Sequence, residues 1–180
     1  MYLKIGDDKM SNLDQNLGIL IGGFKAIGKS TLAKKYSNVI DVESSNFEYL
    51  IDEELKKISV EQRKGLKSRT KNPDYPLNYY NELISNLKKN HIVLFANKTE
   101  VVELLNKNNI DYYIVWPEEN MLDEIIDRSK KRGNNERFIS RIKQVYYEDF
   151  PKNNDKVIWL KKGQYLEDVL IEKGIIEIKN

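Results

Sequence analysis

The 180-residue chain reads as a single α/β domain, a doubly wound parallel five-stranded sheet covered by helices. Three observations predict it. Short apolar runs rich in β-branched and aromatic residues recur along the chain. Amphipathic segments at helical spacing separate them. A loop flanked by glycines joins the first run to the first helical segment.

The runs are Gly18 to Gly22, Asn38 to Val42, Ile92 to Ala96, Tyr112 to Trp116 and Val157 to Leu160. Each is nearly continuous rather than alternating, the pattern of strands covered on both faces. Thr31 to Tyr36 supplies good helix formers directly after the first loop. Tyr79 to Leu87 places Tyr80, Leu83, Ile84 and Leu87 at helical spacing, entered through the turn signal Asn72-Pro73-Asp74-Tyr75-Pro76. Val101 to Leu105 is a shorter helix before the Lys107-Asn108-Asn109 break. Met121 to Arg132 is stopped by Gly133-Asn134-Asn135, and Glu136 to Phe150 is ended by Pro151. Strand alternating with helix implies parallel βαβ units. Trp116, Trp159 and the segment Ile171 to Ile176 are expected in the core. No internal repeat or low-complexity linker divides residues 1–180.

Composition narrows the function classes. Hydrophobic residues make up 40% and charged residues 32%, ordinary values for a soluble globular protein. Lys plus Arg is 30 against 28 for Asp plus Glu, a net charge of +2, too balanced for a protein that coats nucleic acid. With no cysteine, disulfides, thiolate metal sites and cysteine nucleophiles are excluded. His91 is the only histidine, which removes a histidine metal cluster. The segment Met1 to Asp8 lacks the apolar core of a signal peptide, and no run approaches a membrane span. A cytoplasmic location is the expectation.

The chemistry starts at Gly23. Residues Gly23 to Ser30 read Gly-Phe-Lys-Ala-Ile-Gly-Lys-Ser, matching the phosphate-cradling pattern G-x-x-x-x-G-K-S/T between a strand and a helix. Glycines let backbone N–H groups turn inward around an anion, and the helix start adds a positive dipole. Gly23, Lys25, Ala26, Ile27, Gly28, Lys29, Ser30 and Thr31 are therefore the expected ATP-binding residues. Lys29 reaches the β- and γ-phosphates, and Ser30 offers its hydroxyl to Mg²⁺.

The second run ends in Asp41-Val42-Glu43-Ser44-Ser45. In an open parallel sheet, ligands bind beyond the carboxyl ends of the strands, so this segment faces the same crevice as the loop. Alternation puts Asp41 and Glu43 on one side. Either carboxylate can take a proton from an attacking hydroxyl or hold a magnesium water, with Asp41 and Ser30 the candidate metal pair. The competing reading is structural, with Ser44, Ser45 or Asn46 capping a helix and Glu43 solvated.

Arg128 and Arg132 lie four apart, and Arg137 and Arg141 repeat the spacing beyond Gly133-Asn134-Asn135. Two cationic helix ends joined by a hinge, at about 128–141, describe a lid whose guanidinium groups neutralise phosphoryl charge. Arg128 and Arg132 are the candidate catalytic cations; an ordinary solvated face paired with Glu124, Asp127 and Glu136 is the alternative. The excursion Glu48 to Lys71 carries Arg63, Lys64, Lys67, Arg69 and Lys71, which suit an acceptor bearing its own phosphate. Phe47, Tyr49, Tyr75 and Tyr79 are either base-stacking residues or core. Asp41, Ser44, Phe47, Arg63, Arg69 and Arg137 are the candidate acceptor contacts.

Taken together, the Gly23–Thr31 loop, the Asp41–Ser45 acidic segment, the excursion and Arg128-x-x-x-Arg132 resemble the P-loop kinases of the nucleoside monophosphate kinase type. That group also holds shikimate-kinase-like and polynucleotide-kinase-like enzymes. Asp-x-Glu-Ser-Ser with a later Asn-Pro-Asp-Tyr-Pro also looks like small kinases of phages and their hosts. The resemblance implies strand order 2-3-1-4-5 and closure around two phosphate-bearing ligands, ATP with Mg²⁺ and a (deoxy)nucleoside monophosphate. Two departures stand out: Ala26 replaces a frequent glycine, and the third run ends in Ala96-Asn97 without the aspartate that often holds magnesium through water. Rival readings are a hydroxyl kinase acting on a nucleoside, a 5′-polynucleotide end or another small molecule, and a non-catalytic ATP-binding interaction module.

Overall fold

A computed structural model describes residues 18–63, 66, 69–88, 91–151 and 155–177. Lys64 and Lys67 of the excursion, Leu17 and the segment Met1 to Asp8 lie outside the described residues.

Five parallel strands form one sheet, in the order β2-β3-β1-β4-β5. They are β1 (Ile19–Gly23), β2 (Val39–Asp41), β3 (Ile92–Ala96), β4 (Tyr113–Pro117) and β5 (Val157–Leu160). Register aligns Gly23 with Ala96 and with Val115, and Asp41 with Leu94. The carboxyl ends of β1, β2 and β3 therefore finish at nearly one level, where an open sheet holds its ligand. The central strands are the most deeply covered: Leu20, Ile21, Val93, Leu94, Phe95 and Val115 are all at or below 1% exposure. Their continuous apolar character follows from helices flanking the sheet.

Each helix is set by its apolar stripe. The first, α1 (Lys29–Lys35), buries Leu32 and ends in Lys34 and Lys35, cations suited to a helix C-terminus. Next to β3 run α5 (Leu77–Asn86), which buries Tyr79 and Leu83, and α6 (Thr99–Lys107), which buries Val101 and Leu105; the two pack on each other. After a 3-10 turn at Glu119–Met121, α7 (Leu122–Lys131) and α8 (Glu136–Glu148) pack on each other, joined by the four residues 132–135. Asn135 caps α8, its side chain accepting from the Phe138 amide at 2.9 Å.

β3 and β5 coincide with the expected apolar runs, and β1, β2 and β4 differ from theirs by one residue at each end, because ladder pairing rather than hydrophobicity sets a strand end. A helix absent from the sequence reading is α9 (Leu166–Glu172), with Leu166, Val169 and Leu170 buried at helical spacing. Ile176 is buried as expected, whereas Trp159 is 39% exposed and stacks on Phe150 with ring centroids 5.3 Å apart.

The excursion is built differently. In its short helices, α2 (Ser45–Glu48), α3 (Glu53–Lys56) and α4 (Val60–Arg63), no residue whose burial is described is fully buried. An antiparallel bridge between Tyr49 and Lys71 closes its base, with Leu50 donating to Thr70 and Asn72 to Glu48, both at 2.9 Å.

Candidate active site

The loop after β1 turns as its motif requires. Gly28 sits at φ 106°, a region that suits glycine, and stands at the N-cap of α1. Ala26 also has positive φ, 60°, so the residue that replaces a glycine here adopts a left-handed conformation regardless. Gly23 has no room for a side chain, since a Cβ would lie 2.7 Å from Ile27 and 3.3 Å from Lys29. Lys29 is drawn back across the loop, its Nζ donating to the carbonyls of Gly23 at 3.0 Å and Phe24 at 2.8 Å. Those contacts hold the ammonium over the loop opening. Residues 165–166 brace the loop from behind: Leu166 donates to the Ile27 carbonyl at 2.8 Å, and the Tyr165 ring lies against Gly28.

Lys25 is partly buried on the same loop, with its ammonium 5.3 Å from the centre of the Phe24 ring. Burial, then the neighbouring Lys98 and Lys29 charges, push its pKa down to about 7. An anion entering the loop reverses the electrostatic part of that penalty.

The carboxyl end of β2 faces the loop directly. Ser30 donates to Asp41 at 2.8 Å, which joins the loop's hydroxyl to the strand's carboxylate. Two hard oxygen donors at this spacing suit Mg²⁺, which keeps most of its remaining ligands as waters and phosphate oxygens. Among the described residues no group of three or more His, Cys, Asp or Glu gathers as a metal cage. Glu43 accepts from the Ser45 amide at 3.3 Å. Ser44 is buried and begins α2, but without a side-chain capping bond.

One cavity of about 570 Å³ runs from this loop across the sheet ends. Gly23 to Ser30, Asp41, Glu43 and Ser44 form one wall. Tyr49, Arg69 and Lys71 bring the excursion to it, and Arg132, Arg137 and Arg141 bring the α7–α8 turn. The cationic side chains on its walls are Lys25, Lys29, Arg69, Lys71, Lys98 and the three α7–α8 arginines. The carboxylates are Asp41, Glu43, Glu48 and Asp149, so cationic groups outnumber carboxylates by four when Lys25 is counted in its protonated form. Lys98 pairs with Glu48 at 3.2 Å, linking the end of β3 to the base of the excursion.

Several candidate residues are placed elsewhere. Arg128 does not line the cavity. It is 7% exposed, pairs with Glu124, donates to the Gln164 carbonyl at 2.7 Å and lies 3.9 Å over the Tyr165 ring. Burial works against ionisation of Glu124, yet the Gly163 amide and Arg128 hold its carboxyl below the usual range. Arg128 is thus a brace between α7 and the segment behind the loop. Phe47 is absent from the cavity wall because it packs on Tyr79, ring centroids 5.4 Å apart. Tyr79 is fully buried; its hydroxyl donates to the Val42 carbonyl at 2.7 Å and accepts from the Ala96 amide at 3.0 Å, tying the ends of β2 and β3 together. Thr31 is exposed on α1, and Arg63 lies beside the main cavity rather than on it.

Asn97, Lys98 and Asp149 are wall residues the sequence reading missed. The first two follow β3, and the rule that brought Asp41 to the site applies equally to them. Asn97 stands where a strand-end aspartate was expected, with its Oδ1 buried and without a hydrogen-bond partner.

No family model matches the chain. No curated protein matches it either. Among solved structures, a gluconokinase from Sinorhizobium meliloti 1021 superposes with a TM-score of 0.51 at 13% identity, over 87% of this chain and 88% of that one. This protein has the P-loop kinase fold. An uncharacterized protein from Eubacterium ventriosum ATCC 27560 aligns over 87% of this chain and 94% of its own, at 12% identity and a TM-score of 0.40. In this P-loop kinase fold, the crevice at the strand ends is the 570 Å³ cavity.

Proposed function

We propose that the protein is an ATP- and Mg²⁺-dependent phosphotransferase whose acceptor is a (deoxy)nucleoside monophosphate. The observation that carries this reading is the charge of the cavity. Its walls hold four more cationic groups than carboxylates. Magnesium-bound ATP brings about two negative charges and a nucleoside monophosphate about two more, so the pair neutralises the surplus. A neutral nucleoside leaves half of it unmatched.

The roles follow from position. The loop amides and Lys29 hold the donor's β- and γ-phosphates, for which Lys29 must exchange its carbonyl contacts for phosphate oxygens. Ser30 and Asp41 would hold Mg²⁺, which supplies charge neutralisation between the donor phosphates. Arg132 and Arg141 approach from the α7–α8 side and stabilise charge on the moving phosphoryl group, while Arg137 beside them holds the acceptor's phosphate. Glu43 and Ser44 orient the acceptor. A phosphate acceptor is already ionised at neutral pH, so neither carboxylate has to act as a strong base.

A second reading has its own support. Glu43 lies on the cavity wall beside Asp41, and one carboxylate free of metal duty can take the proton of an acceptor hydroxyl. ADP release measured with ribo- and deoxynucleoside monophosphates, nucleosides and a 5′-hydroxyl oligonucleotide separates the two. Turnover with monophosphates supports the first; turnover confined to hydroxyl acceptors overturns it and establishes the second.

A further inference from the structure

Beside the main cavity, where the excursion folds back on itself, lies a second and much smaller cleft. Its volume is about 10 Å³, room for a single water-sized atom. Arg63 from α4 and Arg69 just before the Lys71 bridge both line it, with Ile51 and Leu55 as apolar wall. Ser45, Tyr49 and Arg69 line this cleft and the main cavity alike, so the two spaces share a partition. No residue of the phosphate loop, and neither Asp41 nor Glu43, reaches the small cleft.

The two arginines lie outside the phosphate loop and lack the partner that other shielded cations away from it have. Lys98 sits against Glu48, and Arg128 against Glu124. Among the described residues, Arg63 and Arg69 form no ion pair. Both are half-buried, and the Nε of each is shielded from solvent without a hydrogen-bond partner. Arg69 is also fixed in place, its guanidinium 3.6 Å from the centre of the Tyr49 ring. Two like charges brought together and partly desolvated with no counter-charge are unfavourable. An oxyanion between them removes that cost, because planar guanidinium groups match carboxylate and phosphate oxygens.

We propose that Arg63 and Arg69 form an anchoring subsite for a second, non-reacting oxyanion of the acceptor. One oxygen enters the small cleft and the rest of the group stands at the Arg69 side of the main cavity. The inference rests on the phosphotransferase reading for its word acceptor, but the anion subsite itself does not. Among nucleotide acceptors it favours those that carry an anionic group besides the one phosphorylated, so that a nucleoside 3′,5′-bisphosphate binds more tightly than the plain 5′-monophosphate.

Side-chain NMR tests it directly. The Nε–H resonances of Arg63 and Arg69, assigned through Arg63→Lys and Arg69→Lys, are followed while inorganic phosphate, acetate or chloride is added at constant ionic strength. Both resonances are expected to move together with phosphate and not with chloride. A parallel shift with acetate extends the subsite to carboxylates, and silence with acetate restricts it to phosphates. If neither phosphate nor acetate moves them, the subsite does not exist. The kinetic counterpart is the KM of Arg63→Gln for a nucleoside 3′,5′-bisphosphate. It is expected to rise about tenfold, the contribution of one charge-assisted hydrogen bond, with kcat and the KM for the 5′-monophosphate unchanged. Equal rises for both acceptors overturn the assignment. NMR shifts without turnover on any acceptor leave the anion subsite standing and overturn the phosphotransferase reading instead.

Discussion

The two ends of the cavity are built by opposite means. At the proposed donor end, backbone geometry does the positioning: β1 is buried, Gly28 turns through positive φ, and the Ile27 carbonyl is pinned by Leu166. At the proposed acceptor end, side chains do it, carried on α2 and on the segments that a bridge between Tyr49 and Lys71 joins. The phosphate group is common to many ligands, and a rigid backbone nest suffices to hold it. An acceptor must be distinguished from its analogues, and that falls to side chains on a frame that sequence change can reshape at little cost to the core. Low burial also makes the excursion the first part expected to open.

The sharpest way to break this contrast is Lys29→Ala. If the donor end acts on the phosphoryl group in flight, kcat falls by about 10²–10³-fold while the acceptor's KM moves little. A rise in acceptor KM of the same size would mean the two ends are not separable. At the seam between them stands Tyr79. Tyr79→Phe leaves the Val42 carbonyl and the Ala96 amide without their partner in a fully buried place, and is expected to destabilise the fold by about 2–4 kcal/mol. Denaturant midpoints measure it, and a neutral result would show that the strand ends hold together without this staple.

How much of this was legible in the sequence follows the same division. The place and turn of the Gly23–Ser30 loop were, because its backbone demands glycine and lysine at fixed spacing. So was Asp41, because strand ends face the crevice whatever the rest of the fold does. Strand order came from resemblance to a family rather than from periodicity. The two halves of the lid were not distinguished. Arg128 and Arg132 share a helical face, but Glu124 lies a turn before Arg128, and Gln164 and Tyr165 arrive from far along the chain to capture it. The aromatic cluster was ambiguous for a similar reason: spacing does not tell a base platform from a core, and Phe47 and Tyr79 prove to pack on each other. Asn97 and Lys98 were accessible to the strand-end rule, whereas Tyr165 was not, since its place behind Gly28 depends on where β5 and α9 return.

Smaller effects sharpen the contrast. Arg137 lies on the cavity wall, and Arg137→Ala is expected to raise the acceptor's KM about tenfold while changing the KM for ATP less. Steady-state kinetics with each substrate varied in turn measures the difference. Smallest is a proton. With its pKa held near 7 by burial and neighbouring cations, Lys25 is about half protonated in the empty site at pH 7. ATP phosphates favour the charged form, so binding takes up about half a proton at pH 7 and more at pH 8, until the pKa of the bound state is reached. Calorimetry in buffers of different ionisation enthalpy detects the uptake, and Lys25→Met is expected to abolish it. Unchanged uptake in that variant would move the titrating group elsewhere in the site.

The most direct measurement follows the label from γ-³²P-ATP with Mg²⁺ across nucleoside monophosphates, in the wild-type protein and in Lys29→Ala. The charge surplus and the Ser30–Asp41 pair predict label on at least one monophosphate, giving the diphosphate, at a rate about 10²–10³-fold lower in the variant. ATP bound by the wild-type protein with no label passing to any monophosphate would contradict the proposed activity.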